Sequence, residues 1–240
     1  YAIWEDPFPK PSYLFALVAG TFDIVSDTFT TKSGRKVDLQ LYVDRGSHDR
    51  GLFAMQSIKD SMKWDEDRWD LEYDLDNFKV VAVDFFNFGA MENKSLNVFN
   101  SIYVMVDPQT ATDTAFYNVQ SVIGHEYFHN YTGDRVTLRD WFQLSLKESL
   151  TVFRDQEFSS DVANRALTRL HAIKVIRGPQ FAEDASPMAH PVRPEEGMEM
   201  NNFYTVTIYD KGAEVIRMIH TLIGEQKFKQ ALKYYLTKYD

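Results

Sequence analysis

The residues of this sequence best suited to chemistry are His125, Glu126 and His129, in the pattern His-Glu-x-x-His, and Glu148, which follows after eighteen residues. On a helix, residues four apart are offset by only about 40°, so the two imidazoles point the same way. With a carboxylate from a second helix they can bind one Zn²⁺ and leave a fourth position open for water. Glu126, about 100° round the helix, can act as general base towards that water. The pattern predicts a catalytic zinc site, against the simpler interpretation of two ordinary helical histidines.

Two helices must position these side chains. The first is expected from about 114 to 132, after an N-cap at Asp113. The second is expected from about 145 to 158, and it brings Glu148 and Asp155 onto one face. Because histidine ligands usually donate their other N–H to a carboxylate, Asp155 is a candidate for that supporting role. A surface salt bridge with a nearby arginine is an equally good interpretation of Asp155.

Composition is that of a packed globular protein of one or two domains. The 240 residues are 44% hydrophobic and 15% aromatic, with a net charge of −9 and no cysteine. The lack of cysteine excludes disulfides, thiolate zinc sites and a cysteine nucleophile, and it is compatible with the cytoplasmic location that we expect. There is no apolar run of the roughly 18 residues that a membrane span needs. The absence of a basic run argues against nucleic acid or an anionic membrane as partner.

The organisation of the chain changes near residue 45. The start of the chain has no signal-peptide pattern. It begins with Tyr1 and lacks an initiator methionine, so we expect a piece of a longer protein. Before the change, extended segments are expected at 13–19, 22–31 and 36–43. After it, helices are expected at 52–64, 164–177, 212–223 and 226–239, with β-rich stretches at 78–86 and 95–106. We therefore predict domains 1–45 and 46–240.

Several smaller features complete these expectations. Residues 65–67 are expected to be an acidic loop, and residues 201–209 are ambiguous between strand and loop. His190 lies in a proline-rich loop and is interpreted as structural or cleft-lining. The apolar residues expected in the core of the last two helices are Met218, Ile219, Leu222 and Leu232.

A second motif, Gly89-Ala90-Met91-Glu92-Asn93, is separated from His125 by thirty-one residues. Combined with the metal-binding pattern, it resembles the M1 family of zinc aminopeptidases, and most closely its bacterial members. Further similar stretches lie at 84–87, 140–148, 153–158, 188–191 and 209–214. The resemblance covers essentially the whole chain.

The resemblance implies an α+β fold. Residues 46–240 would be a thermolysin-like zinc metallopeptidase catalytic domain, incomplete at its C-terminal end, and residues 1–45 the last strands of an N-terminal β-domain. It implies one Zn²⁺ per chain, with Glu126 as general base and Glu92 as the group that binds the free α-amine of a peptide. The tyrosine matching Tyr209 donates a hydrogen bond to the oxyanion. The implied zinc ligands are His125, His129 and Glu148, and the implied substrate-binding residues are Gly89, Ala90, Met91, Glu92 and Asn93.

The implied activity is zinc-dependent hydrolysis of the N-terminal bond of peptides with a free N-terminus. A folded zinc-binding fragment without turnover is the main alternative, because the flanking N- and C-terminal domains of the longer chain are missing. An endopeptidase or an epoxide-opening relative is also conceivable, but the form of the motif at 89–93 argues against both. Two departures stand out: the family's second amine-binding glutamate has no match, and Phe88 replaces the methionine that is common in bacterial members.

Overall fold

A five-stranded mixed sheet is the framework of the first of two structural units, Tyr1–Asn130. The computed structural model describes residues 1, 3–197 and 199–240. The spatial order of the strands is β1-β2-β3-β5-β4. Their bounds are Asp23–Thr30 (β1), Lys36–Val43 (β2), Asn77–Val83 (β3), Ala90–Met91 (β4) and Leu96–Asn100 (β5).

The burial of each strand follows from its sequence pattern. In β2 every second residue is apolar and fully buried, which matches the strand expected at 36–43: Val37, Leu39, Leu41 and Val43. In β3 the residues from Phe78 to Ala82 are all buried, as expected of a strand that pairs in parallel on both sides. The strand expected at 13–19 is wrong, because only a short 3₁₀ turn, Ser12–Leu14, forms there.

The first strands share a sheet with later parts of the chain. β1 and β2 pair antiparallel, and β2 pairs in parallel with β3, so that Leu39 lies opposite Phe78. The division of the chain at residue 45 stays a prediction.

Two helices belong to this unit, Leu52–Trp69 (α1) and Asp113–Phe128 (α2), and they pack against each other. The rings of Phe53 and Phe116 lie 4.8 Å apart. α1 continues through residues 65–67, so the expected acidic loop is wrong. The helix ends at Asp70, whose φ of 62° is left-handed and is tolerated by a short polar side chain.

The second unit, Tyr131–Asp240, is helical. Its helices are Glu148–Ser159 (α3), Arg165–Val175 (α4), Phe181–Asp184 (α5), Gly212–Ile223 (α6) and Glu225–Lys238 (α7). Every residue of α3 is buried, so this helix is the centre of the unit. Phe153 of α3 packs against Phe228 of α7, with 5.3 Å between the ring centroids.

Three expectations for this unit are corrected. The helical path expected to end at 177 continues, because a π-helical turn at 176–180 leads into α5, and proline is tolerated just before a helix. Residues 201–209 form neither strand nor plain loop but a 3₁₀ turn followed by a π-helical turn. Leu232 of α7 is buried as expected. Three residues of α6 that were also expected in the core are exposed: Met218, Ile219 and Leu222.

The mixed sheet and the helices confirm the predicted α+β class. Among the described residues, no helix combines the length and the apolar character needed to cross a membrane.

Candidate metal centre and substrate-binding segment

The two histidines of the His-Glu-x-x-His pattern converge at the C-terminal end of α2. Their Nε2 atoms lie 3.0 Å apart, and the rings are nearly perpendicular, at 85°. The helix starts one residue earlier than expected, because Thr112 is the N-cap and its hydroxyl accepts the N–H of Ala115. His129 caps the other end and donates its backbone N–H to the carbonyl of His125, at 3.2 Å. The predicted one-turn spacing of the imidazoles is therefore present.

The second motif brings a carboxylate to the same place. Glu92 follows the short edge strand β4, and it is 4% exposed. Glu92, Glu126 and His129 each offer a ligand atom, and these atoms all lie within 4.8 Å of one another. Glu92, which is distant in sequence, thus meets the helix that bears the histidines. The sequence alone does not show how closely these three side chains approach one another.

The donor atoms of the first unit fit a divalent metal. Imidazole nitrogen and carboxylate oxygen are the ligands that Zn²⁺ takes from proteins. His125 and His129 present two nitrogens on one side of α2, and Glu126 lies on the same helix, only 6% exposed. The chemistry of the set is therefore that of a metal centre.

The residues before Glu92 form an edge strand. Ala90 pairs with Phe99, and Met91 pairs with Val98, both on β5. The carbonyl of Gly89 accepts the N–H of Asn100 at 2.9 Å. The described residues place no further strand on the other side of β4. A peptide could add there as an extended strand.

In the second unit, Glu148 is the first residue of α3 and is 1% exposed. Its carboxylate accepts a hydrogen bond from the ammonium of Lys147, which is equally buried. Asp155, two turns later on α3, is 7% exposed, so it is no surface residue. The ligand role of Glu148 and the supporting role of Asp155 stay predictions.

Tyr209 lies in the π-helical turn at 207–211, half-buried against an apolar cluster that includes Leu144 and Ile208. Its backbone N–H donates to the carbonyl of Thr205 at 3.0 Å. Ser149 of α3 donates its hydroxyl to the carbonyl of Ile208 at 2.6 Å. The residue before Tyr209 is thus fastened to the helix that begins with Glu148.

His190 has a structural contact. Its Nδ1 lies 2.9 Å from the carbonyl of Pro191, and its Nε2 lies 2.9 Å from the hydroxyl of Thr205. Since a carbonyl only accepts, the donor to Pro191 is Nδ1–H. His190 thereby holds the segment that leads to Tyr209.

Sequence reasoning missed a buried cluster beside the second motif: Lys94, Asp74 and Asn130. The available signal was a lysine directly after the second motif and just before the β-rich stretch expected at 95–106. Lysine is rarely buried without a partner, and its partner could not be identified from spacing.

Comparisons with known proteins identify the family of the chain. The sequence model of the peptidase family M1 domain matches residues 53–240. The chain is 67% identical over 237 residues to aminopeptidase N of Haemophilus influenzae and 66% identical over 237 residues to aminopeptidase N of Escherichia coli. In both comparisons the match covers 99% of this chain and 27% of the relative. The chain therefore spans about a quarter of the length of these relatives.

A solved structure gives the same result for the fold. The crystal structure of Legionella pneumophila aminopeptidase A in complex with aspartic acid has a TM-score of 0.90 and 37% identity to this chain. The match covers 99% of this chain and 27% of that one. The predicted fold class and the predicted closeness to bacterial members are confirmed. This chain belongs to peptidase family M1.

Proposed function

We propose that the longer protein containing this chain is a zinc-dependent aminopeptidase, which hydrolyses the N-terminal bond of peptides with a free N-terminus. The observation that carries the proposal is the convergence of Glu92, Glu126 and His129 within 4.8 Å. An amine-binding carboxylate, a general base and a metal ligand so close together act on the first peptide bond of a chain. Because this chain spans 27% of its relatives, the activity is proposed for the longer protein.

The metal would be held by His125, His129 and Glu148. The first two are supported by their converging nitrogens, and the third is inferred from its sequence spacing and from its burial at the start of α3. When bound, Zn²⁺ would act as a Lewis acid and lower the pKa of a water molecule to about 7. Asp155 would orient one histidine by accepting its other N–H.

The remaining steps belong to side chains of this protein. Glu126 takes the proton of the attacking water and returns it to the leaving amine. Its burial strengthens this role, because nearby charges are less screened there. Tyr209 donates a hydrogen bond to the developing oxyanion, a contribution of about 3 kcal/mol to the barrier.

Glu92 gives the selectivity for a free N-terminus. It is buried, so a charged α-amine can pair with its carboxylate where water screens their attraction little. A blocked amine cannot do so and is rejected. The segment Gly89, Ala90, Met91, Glu92 and Asn93 aligns the peptide beside β4.

The second candidate concerns the 240 residues alone. Because they span 27% of the relatives' length, we infer that this piece folds and binds zinc without turnover. The flanking domains of the longer chain would complete the enclosure of the substrate. A cytoplasmic location stays a prediction from the cysteine-free composition.

The test uses the full-length protein with an aminoacyl-arylamide and its N-acetylated counterpart. We expect cleavage of the free amine only. Glu126→Gln should lower kcat by roughly 10²–10⁴-fold, the usual contribution of a general base, with unchanged zinc content. Glu225→Gln, an exposed glutamate on α7, is the matched control and should retain the wild-type rate.

Equal cleavage of both substrates, or a wild-type rate for Glu126→Gln, would contradict the proposal. The same assay and a metal analysis on the 240-residue chain separate the second candidate. Bound zinc without turnover supports it, whereas turnover that depends on Glu126 rejects it.

A further inference from the structure

A buried charged cluster lies next to the candidate site, within the first unit. The ammonium of Lys94 lies 2.9 Å from both carboxylate oxygens of Asp74 and 2.8 Å from Oδ1 of Asn130. The amide of Asn130 in turn donates to Asp74 at 3.0 Å. The side chains of Lys94 and Asp74 are 1% and 6% exposed, so this is a desolvated ion pair closed into a triangle by an amide.

Such a cluster is a weak source of stability. The desolvation of two charges offsets most of their attraction, and the best-attested use of a buried ion pair is to fix one arrangement of the chain. The relevant question is which segments this triangle joins.

The triangle joins the two halves of the site. Lys94 is two residues beyond Glu92, and Asn130 directly follows His129. Asp74 lies between α1 and β3 and binds both partners. A second link holds the same turn, because Asn97 donates its amide to the carbonyl of Asn93 at 2.8 Å. Three side chains therefore connect the segment that carries Glu92 to the segment that carries His129.

We propose that Lys94, Asp74 and Asn130 are positioning residues that set the separation between the amine-binding Glu92 and the metal ligand His129. This rests on the proposed function. A displacement of about 1 Å in such a constellation can cost 10²-fold in rate. The triangle holds that distance without touching substrate.

The first test is Asn130→Ala in the full-length, zinc-loaded protein. This change cuts the link to the end of α2 but leaves Lys94 and Asp74 paired, so the fold is retained. We expect kcat/KM for an aminoacyl-arylamide to fall roughly 10–100-fold, mainly through KM. Zinc affinity, measured by competition with a chelator, should fall about tenfold.

The second test removes both charges at once. Lys94→Met with Asp74→Asn is neutral and nearly isosteric, so it avoids the unpaired buried charge that either single change would leave. We expect a near-wild-type melting temperature together with the same rise in KM. If the triangle only stabilised the fold, this double variant, with its near-wild-type stability, would also have the wild-type KM.

Lys79→Met is the matched control. By whole-residue exposure Lys79, at 8%, is about as buried as Lys94, at 7%, but its ammonium contacts Asn77 and the ring of Trp4. Its kcat/KM and zinc affinity should be unchanged. Wild-type KM and zinc affinity in Asn130→Ala, or an equal loss in Lys79→Met, would overturn the positioning role.

A different set of results would show that the proposed function itself is wrong. If the wild type cleaves no aminoacyl-arylamide, or if Glu126→Gln is fully active, the proposed function and the positioning role fall together. If both behave as proposed and only the Asn130 and Lys94–Asp74 variants match the wild type, the positioning role alone falls.

Discussion

The close approach of Gly212 to Ser149 fixes the segment that carries Tyr209. A Cβ added at Gly212 would lie 1.9 Å from the hydroxyl oxygen of Ser149 and 2.6 Å from its Cβ. The backbone at Gly212 is ordinary for a helix, with φ of −58°, so space and not conformation requires the glycine. The same hydroxyl holds the carbonyl of Ile208. One missing methyl group therefore lets α3 and α6 meet beside Tyr209.

Gly212→Ala should lower the free energy of unfolding by about 1–3 kcal/mol, because overpacking forces Ser149 from its position. Urea unfolding measures this. Ser149→Gly in the Gly212→Ala background should recover part of the loss, since the two sites share one space. Gly178→Ala is the control: apart from its chain neighbours nothing lies within 4 Å of its added Cβ, so its loss should be smaller and limited to the restraint that Pro179 places on the residue before it. Equal effects at both glycines would contradict the packing argument.

At the residue scale, the sequence predicts what depends on local spacing. His125 and His129 converge because they are one helical turn apart, and any helix there would bring them together. The nearness of Glu92 depends on how β4 and β5 pair, and only the family resemblance pointed to it. Lys94 was missed because its partners come from 20 and 36 residues away.

At the element scale, the turn between β1 and β2 is held by two glutamates with opposite titration behaviour. Both carboxylate oxygens of Glu66, on α1, accept the N–H of Lys32 at 3.1 Å. Burial nevertheless raises the pKa of Glu66 above its ordinary 4.5. Ser33 donates its hydroxyl to Glu72 at 2.6 Å, and this hydrogen bond lowers the pKa of Glu72 below 4.5.

These shifts predict opposite effects of pH on two matched variants. A raised pKa means that the folded chain holds the proton more tightly than the unfolded chain, so the contribution of Glu66 to wild-type stability falls as pH rises from about 4.5 through the pKa of folded Glu66. Glu66→Gln avoids that loss and should become more stable than the wild type over this range. A lowered pKa has the reverse sign, so Glu72→Gln should become less stable than the wild type as pH rises towards and past 4.5.

Denaturant unfolding of the three proteins at several pH values checks both signs. At the acid end each glutamine resembles the protonated glutamate, so the three stabilities should approach one another. Parallel pH curves for the two variants, or a Glu66→Gln chain that loses stability relative to the wild type as pH rises, would contradict the assignment.

The elements that were predicted well are those with a strong local signal. β2 has strict alternation, and α6 begins at Gly212 and ends before Gly224 as expected. The failures share a physical cause. Residues 65–67 stay helical because the burial of Asp65 in the folded chain overrides the loop preference of acidic residues. Residues 201–209 form 3₁₀ and π-helical turns, which have no simple periodic pattern in the sequence.

At the scale of the whole molecule, α6 presents an apolar stripe to solvent. Four of its residues have the spacing i, i+3, i+4, i+7, and their exposed fractions range from 37% to 76%: Val215, Met218, Ile219 and Leu222. The periodicity correctly indicated an amphipathic helix, but burial of this face was wrong for the 240-residue chain. A periodic pattern tells which residues share a face, and it does not tell what covers that face.

An apolar stripe of this kind favours association of the isolated 240-residue chain with itself. Met218→Lys combined with Leu222→Glu keeps the net charge at −9 and interrupts the stripe at its two most exposed residues. We expect sedimentation velocity to show concentration-dependent association of the wild-type chain and a weaker association of this variant. The helical circular dichroism should be unchanged, because neither side chain is buried.

The control places the same charge change elsewhere. Tyr234→Glu combined with Tyr239→Lys alters two residues that are 65% and 56% exposed and lie outside the stripe. Its association should match the wild type, because the stripe is intact. An equal decrease in both variants would mean that general apolar exposure, and not the stripe, drives association. A wild-type chain that stays monomeric at high concentration would reject the prediction, because the exposed apolar face would then not drive detectable association in water.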